Sequence, residues 1–97
     1  MSYKEAFGNN FDIDSRLTEY LNNNNWKDTS YHNDAAPSFT LGNYTLWIAE
    51  RSRETREYPD GGRYMLTFEE TDQDPKMLFN IEATDELLTK LTSTIKT

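Results

Sequence analysis

The sequence predicts an α+β fold: a three-stranded antiparallel meander with an N-terminal helix and a C-terminal helix packed on it. Three observations carry this. Two stretches, Asp12 to about Asn22 and Thr84 onward, repeat apolar residues at helical spacing. Three stretches between them alternate apolar and polar residues with period two. Turn-forming residues separate the strands, and the sheet face the strands share needs a cover that two amphipathic helices supply.

From the start of the chain, Ser2 to Phe7 suits a single helical turn, with Tyr3 and Phe7 at i,i+4 and Gly8 as its stop. In the first full helix Asp12 is placed to cap and Asp14 suits the positive end of the dipole. Ile13, Leu17, Tyr20 and Leu21 make the apolar stripe, and Arg16 and Glu19 fall off it. The run Asn22-Asn23-Asn24-Asn25 ends the helix, because Asn tolerates left-handed backbone and competes for backbone hydrogen bonds. Trp26 then plugs the core, and Lys27 to Pro37 reads as a polar loop containing Tyr31 and the single histidine, His32.

Phe39 to Arg51 is strand-like. Tyr44, Leu46 and Ile48 share one face, and Thr45, Trp47 and Ala49 the other. Gly42-Asn43 is either a tight hairpin turn joining a short Phe39–Leu41 strand to the longer one, or a bulge in one continuous strand. Pro59-Asp60-Gly61-Gly62 marks a turn before the second strand, Arg63–Glu69. The third strand, Lys76 to Ala83, follows Pro75 and places Met77, Phe79, Ile81 and Ala83 on one face. Thr84 is the expected N-cap of the last helix, with Asp85 and Glu86 in its first turn, Leu87, Leu88, Leu91 and Ile95 as its stripe, and Lys90 and Lys96 toward its end. One domain, residues 1–97, accounts for all of it.

Composition narrows the function. A net charge of −7 and a pI near 4.5 disfavour direct binding to nucleic acid or to an anionic membrane surface, since both attract cations. A partner with a basic surface is favoured, and solubility is the plainer use of the same charge. The absence of cysteine leaves no disulfide framework and no Cys-based zinc site. No signal-like apolar run opens the chain and no stretch approaches a membrane span, so a cytoplasmic protein is expected.

The charge is also unevenly spread. Residues 51–68 set Arg51, Arg53, Arg56 and Arg63 against Glu54, Glu57 and Asp60, a net of +1. Residues 69–86 set Glu69, Glu70, Asp72, Asp74, Glu82, Asp85 and Glu86 against Lys76, a net of −6. These seven carboxylates are the candidate partner-binding strip. In a meander, the turn before the third strand and the helix start after it lie at opposite ends of that strand. An eight-residue strand separates them by roughly 25 Å. Because DNA carries one phosphate about every 3.4 Å along each strand, a row of carboxylates on this scale suits a groove built for a phosphate backbone. A merely solvated face is the plain alternative. The arginine stretch reads as local ion pairs, or as a positive pole that orients the molecule.

Catalytic readings fare poorly. Asp72-Gln73-Asp74 opens like a calcium loop, but Pro75-Lys76-Met77 supplies neither the next ligand nor the turn glycine. One histidine without cysteine does not assemble a zinc site, and no glycine-rich phosphate loop is present. No catalytic residue, metal or cofactor is therefore assigned, and a non-enzymatic protein is expected. Trp26, Tyr31, Tyr44 and Trp47 are either core filling or an aromatic binding surface.

With Glu69-Glu70-Thr71-Asp72-Gln73-Asp74, Glu82 and Asp85-Glu86 in view, the chain resembles the small phage- or mobile-element-encoded anti-CRISPR inhibitors. Among these it is most similar to the acidic DNA mimics that act on type I surveillance complexes. The resemblance lies in size, charge and element order, without a diagnostic motif. It implies binding to the basic, DNA-contacting surface of a Cas subunit in the host cytoplasm, blocking target entry by occlusion and without catalysis. The arginine stretch departs from a purely acidic mimic. The other reading is an immunity or antitoxin-type protein that neutralises a basic nuclease.

Overall fold

A computed structural model describes residues 13–30, 36–49 and 62–95. The expected turn at Ser2 to Phe7, the cap at Asp12, Tyr31, His32, Arg51, Arg53, Arg56 and Lys96 lie outside these residues. The element order is α1 (Ser15–Asn23), β1 (Lys27–Asp28), β2 (Ser38–Leu41), β3 (Tyr44–Ile48), β4 (Tyr64–Phe68), β5 (Lys76–Ile81) and α2 (Thr84–Thr94). The class is α+β as expected, but the antiparallel sheet has five strands in the order β1-β2-β3-β4-β5 rather than three.

The two additional strands arise from short-range pairing. Leu41 faces Tyr44 across Gly42-Asn43, which settles that pair as a hairpin turn and not a bulge. Gly42 has φ +59°, the positive value a II′ hairpin turn needs at its first central residue. Beyond β2, the polar stretch expected to be a loop holds β1, with Lys27 opposite Thr40 and Asp28 opposite Phe39. Its order comes from polar groups rather than an apolar pattern. The Thr29 N–H donates to the Ser38 carbonyl at 2.9 Å, and the buried Ser30 hydroxyl accepts from the Ser38 N–H at 3.1 Å.

The helix α1 starts at Ser15, with Asp14 as the cap: its carboxylate accepts from the Arg16 backbone N–H at 2.9 Å. Its end is a Schellman motif. Asn25 takes φ 66°, the Trp26 N–H reaches the Leu21 carbonyl at 3.0 Å, and the Asn25 N–H reaches Asn22 at 3.5 Å. The motif turns the chain so that Trp26 enters the same core cluster as Leu21. The asparagine run thus has a definite role: one of its members supplies the left-handed residue.

One face of the sheet and the two helix stripes form a single core. Leu46 and Ile48 from β3 and Tyr64 and Leu66 from β4 meet Leu17 and Leu21 of α1 and Leu87 and Leu91 of α2. Phe39 and Leu41 of β2, Tyr44 of β3, and Phe79 and Ile81 of β5 extend it. Tyr44 and Phe68 pack as a tilted ring pair with centroids 5.0 Å apart. The aromatics therefore divide: Trp26 and Tyr64 are buried and Tyr44 packs against the core, whereas Trp47 lies half-buried on the opposite face, across from Met65.

Two expectations near β5 are corrected. The strand ends at Ile81, and its pairing slips by one residue: Leu66 faces Phe79 but Thr67 faces Met77. Leu78 is the extra residue of this bulge, which removes Met77 from the face of Phe79 and Ile81. Thr84 is the first helical residue and not the cap; Ala83 occupies that position without a side-chain bond. The Thr84 hydroxyl instead pairs with the Tyr64 hydroxyl at 2.7 Å.

Leu66→Ala is expected to cost about 2–5 kcal/mol, the usual range for a truncated core leucine, measured by urea unfolding. At the Schellman position Asn25→Gly should keep or raise stability. Asn25→Val should lower it by about 1–2 kcal/mol, because a β-branched residue resists positive φ. Equal stability of the two Asn25 variants would show that the left-handed turn does not matter.

Candidate functional site: an acidic sheet edge

The seven acidic residues of the predicted strip flank β5. Its entry is the turn between β4 and β5, where Glu69, Glu70, Asp72 and Asp74 are all exposed. The Gln73 N–H donates to the Glu70 carbonyl at 3.1 Å, closing a β-turn whose third residue, Asp72, sits at φ 66°. Glycine or asparagine is the usual occupant of that position. An aspartate there accepts some backbone strain and adds a fourth carboxylate to the turn. The Glu69 N–H donates to the Asn43 carbonyl at 3.0 Å, which fixes the turn beside the β2–β3 hairpin.

The exit of β5 carries Glu82, Asp85 and Glu86, also exposed. Here the carboxylates have duties within the fold. Asp85 and Glu86 occupy the first turn of α2, where negative charge complements the helix dipole. Arg16, from the first turn of α1, reaches Asp85 at 2.6 Å and Asp14 at 3.1 Å. These two carboxylates, Asp14 foremost, hold the Arg16 guanidinium above the ordinary arginine range. Glu82 also has a partner within the chain. The sequence did not signal this tether, because Arg16 and Asp85 lie 69 positions apart.

The structure therefore places the seven predicted residues at both ends of one strand, as expected. It shortens the span to a six-residue strand, roughly 20 Å. It also divides the strip by role. The turn carboxylates meet no cation among the described residues, while Asp85 is tied to Arg16. Between the two ends stand Met77, 60% exposed, and Leu78, 45% exposed. The sequence pattern had placed Met77 inward.

The described part of the arginine stretch is not a contact surface. Arg63 is 5% exposed, donates from Nε to the Ala49 carbonyl at 3.2 Å and lies 5.3 Å from the centre of the Tyr64 ring. It closes the β3–β4 end of the sheet, where the Ala49 N–H in turn donates to the Arg63 carbonyl at 2.7 Å. Nearby, Gly62 lies so close to β5 that a Cβ there would come within 2.8 Å of the Ile81 backbone. Its N–H is bonded to the Asn80 side-chain oxygen.

Among the described residues no three histidine, aspartate or glutamate side chains lie together as metal ligands, and no helix is long and apolar enough to cross a membrane. No protein-family model, curated protein or solved structure matches the chain.

Arg16→Ala tests the division of the strip. The pair is exposed, so the unfolding midpoint should barely move. Binding of a basic probe such as oligolysine should tighten, because Asp85 is released. Unchanged binding, measured by calorimetry, would place the α2 end outside the interacting surface.

Proposed function

We propose that this chain is a non-enzymatic binding protein whose acidic edge docks on the basic surface with which another protein holds nucleic acid. The single observation that carries this is the exposed turn Glu69–Asp74. Its four carboxylates have no cation of their own among the described residues, and one of them is held at positive φ. Continuity with Glu82 and Glu86 along β5 gives the charge a length of roughly 20 Å, about six phosphate spacings of a DNA strand. In its most specific form, resting on the resemblance to acidic anti-CRISPR proteins, the partner is a Cas subunit of a type I surveillance complex. The effect is then occlusion of its DNA channel.

The apolar pair Met77 and Leu78 modifies the mimicry. A phosphate backbone offers no apolar side chains, so these two residues meet a protein surface and not a vacated phosphate groove. Apolar residues within a polar rim are the usual make-up of a protein–protein interface. The occlusion is thus part electrostatic and part apolar contact.

The test is competition on a purified type I surveillance complex. The wild-type chain should displace target duplex, and the effect should fall steeply as salt rises. Replacing Glu69, Glu70, Asp72 and Asp74 together by lysine should abolish displacement while the circular dichroism spectrum is kept. Retained displacement in that variant would refute phosphate mimicry. Inhibition of a basic nuclease without any effect on the surveillance complex would assign the chain to the immunity or antitoxin class.

A further inference from the structure

We infer that the outer edge of β5 accepts an extended strand from the partner, apolar at its centre and basic at both ends. The inference rests on the proposal above that the partner is basic, and it adds the mode of engagement.

The two edges of the sheet differ. Among the described residues the other edge is β1, two residues long and beginning with a lysine, both common protections against pairing with another chain. The β5 edge is six residues long, and no described strand pairs on its outer side. An edge strand presents N–H and C=O groups of alternate residues outward, and an extended peptide satisfies them by joining the sheet. Protein edges usually discourage this with charge. Here the middle of the edge instead shows Met77 and Leu78, and its one lysine, Lys76, stands at the start. The bulge that exposes Met77 also bends the strand locally, but Phe79 to Ile81 continue in register with β4.

Charge selects the occupant. Carboxylates lie at both ends of the edge, Glu69, Glu70, Asp72 and Asp74 before it and Glu82 and Glu86 after it. A second copy of this chain is disfavoured, because antiparallel pairing of two β5 strands brings the acidic turn of each beside the acidic helix start of the other. A strand with lysine or arginine at each end has the complementary arrangement. Its apolar centre covers Met77 and Leu78. Since both ends of the edge are acidic, charge sets the composition of the incoming strand but not its direction.

The experiment uses the full chain and three probes: a short peptide with a valine–threonine centre between lysine pairs, the same peptide N-methylated along its centre, and oligolysine. N-methylation removes the backbone donors while leaving charge in place. The unmodified peptide should bind about tenfold or more tightly than the N-methylated one, a difference of about 1.4 kcal/mol or more. The amide hydrogens within residues 77–81 that point away from β4 should gain protection only with the unmodified peptide. Met77→Asn combined with Leu78→Asn, which leaves the charge of the edge unchanged, should weaken binding of the unmodified peptide and leave oligolysine binding intact. If both peptides bind alike, with affinity lost in salt, the acidic surface stands and strand addition is wrong. If no basic probe binds, the proposal of a basic partner falls as well. Outward amides of β5 already protected in the free chain would mean that the chain covers this edge itself, which also overturns the inference.

Discussion

The contact between the hydroxyls of Tyr64 and Thr84, 2.7 Å long, joins the sheet to the C-terminal helix, and the surrounding structure is arranged to bring those groups together. Tyr64 is fully buried, opens β4, and faces Ile48 on one side and Ile81 on the other. A buried phenol needs a partner for its O–H, and an orphaned one costs of order 1–3 kcal/mol. Meeting Thr84 satisfies it and fixes where α2 begins. That in turn decides where Leu87 and Leu91 enter the core, and where Asp85 stands to receive Arg16. Arg63 lies against the ring of Tyr64 and bonds the end of β3, so the β3–β4 pair is closed at the same place. The exit of β5 is thus the tightly specified end of the molecule.

The opposite end, at the β4–β5 turn, is held by far less. A backbone bond from Glu69 to Asn43 and one β-turn define it. Its side chains point into solvent and its third residue adopts an unfavourable backbone angle. Placing uncompensated charge where little packing depends on it is physically sensible. Like charges crowded into a core-bearing element would destabilise the fold, whereas in a short exposed turn their repulsion is screened by water and salt. The acidic residues of the strip therefore fall into two groups that composition alone does not separate: those that complement a helix terminus or a neighbouring arginine, and those that meet no cation among the described residues.

Much of the fold was legible because the patterns that encode it are local. The stripe Leu17, Tyr20, Leu21 and the stripe Leu87, Leu88, Leu91 followed from helical spacing, and the inward positions of β3 and β4 from strict alternation. What escaped were features that depend on counting or on distance. Alternation carried past Leu78 puts Met77 inside; the bulge, invisible in the residue types, puts it outside. β1 went unread because Lys27-Asp28 has no apolar residue, and its pairing rests on Thr29, Ser30 and Ser38. Thr84 has the chemistry of a cap, but its hydroxyl is claimed by a tyrosine 20 positions earlier. The charge strip was legible as composition, while its division by the Arg16 tether was not.

The shortness of β1 has a bearing on stoichiometry. A sheet that gains a strand on one side usually offers a new edge, and when both edges are open the addition can repeat and grow into a filament. Here growth through the opposite side would have to start on two residues, too few to template a neighbouring chain. A strand bound at β5 therefore does not turn this protein into a link between two others. Under the proposed strand addition, each copy of this protein would therefore take one guest strand and end the sheet there, staying discrete where a sheet with two open edges would grow.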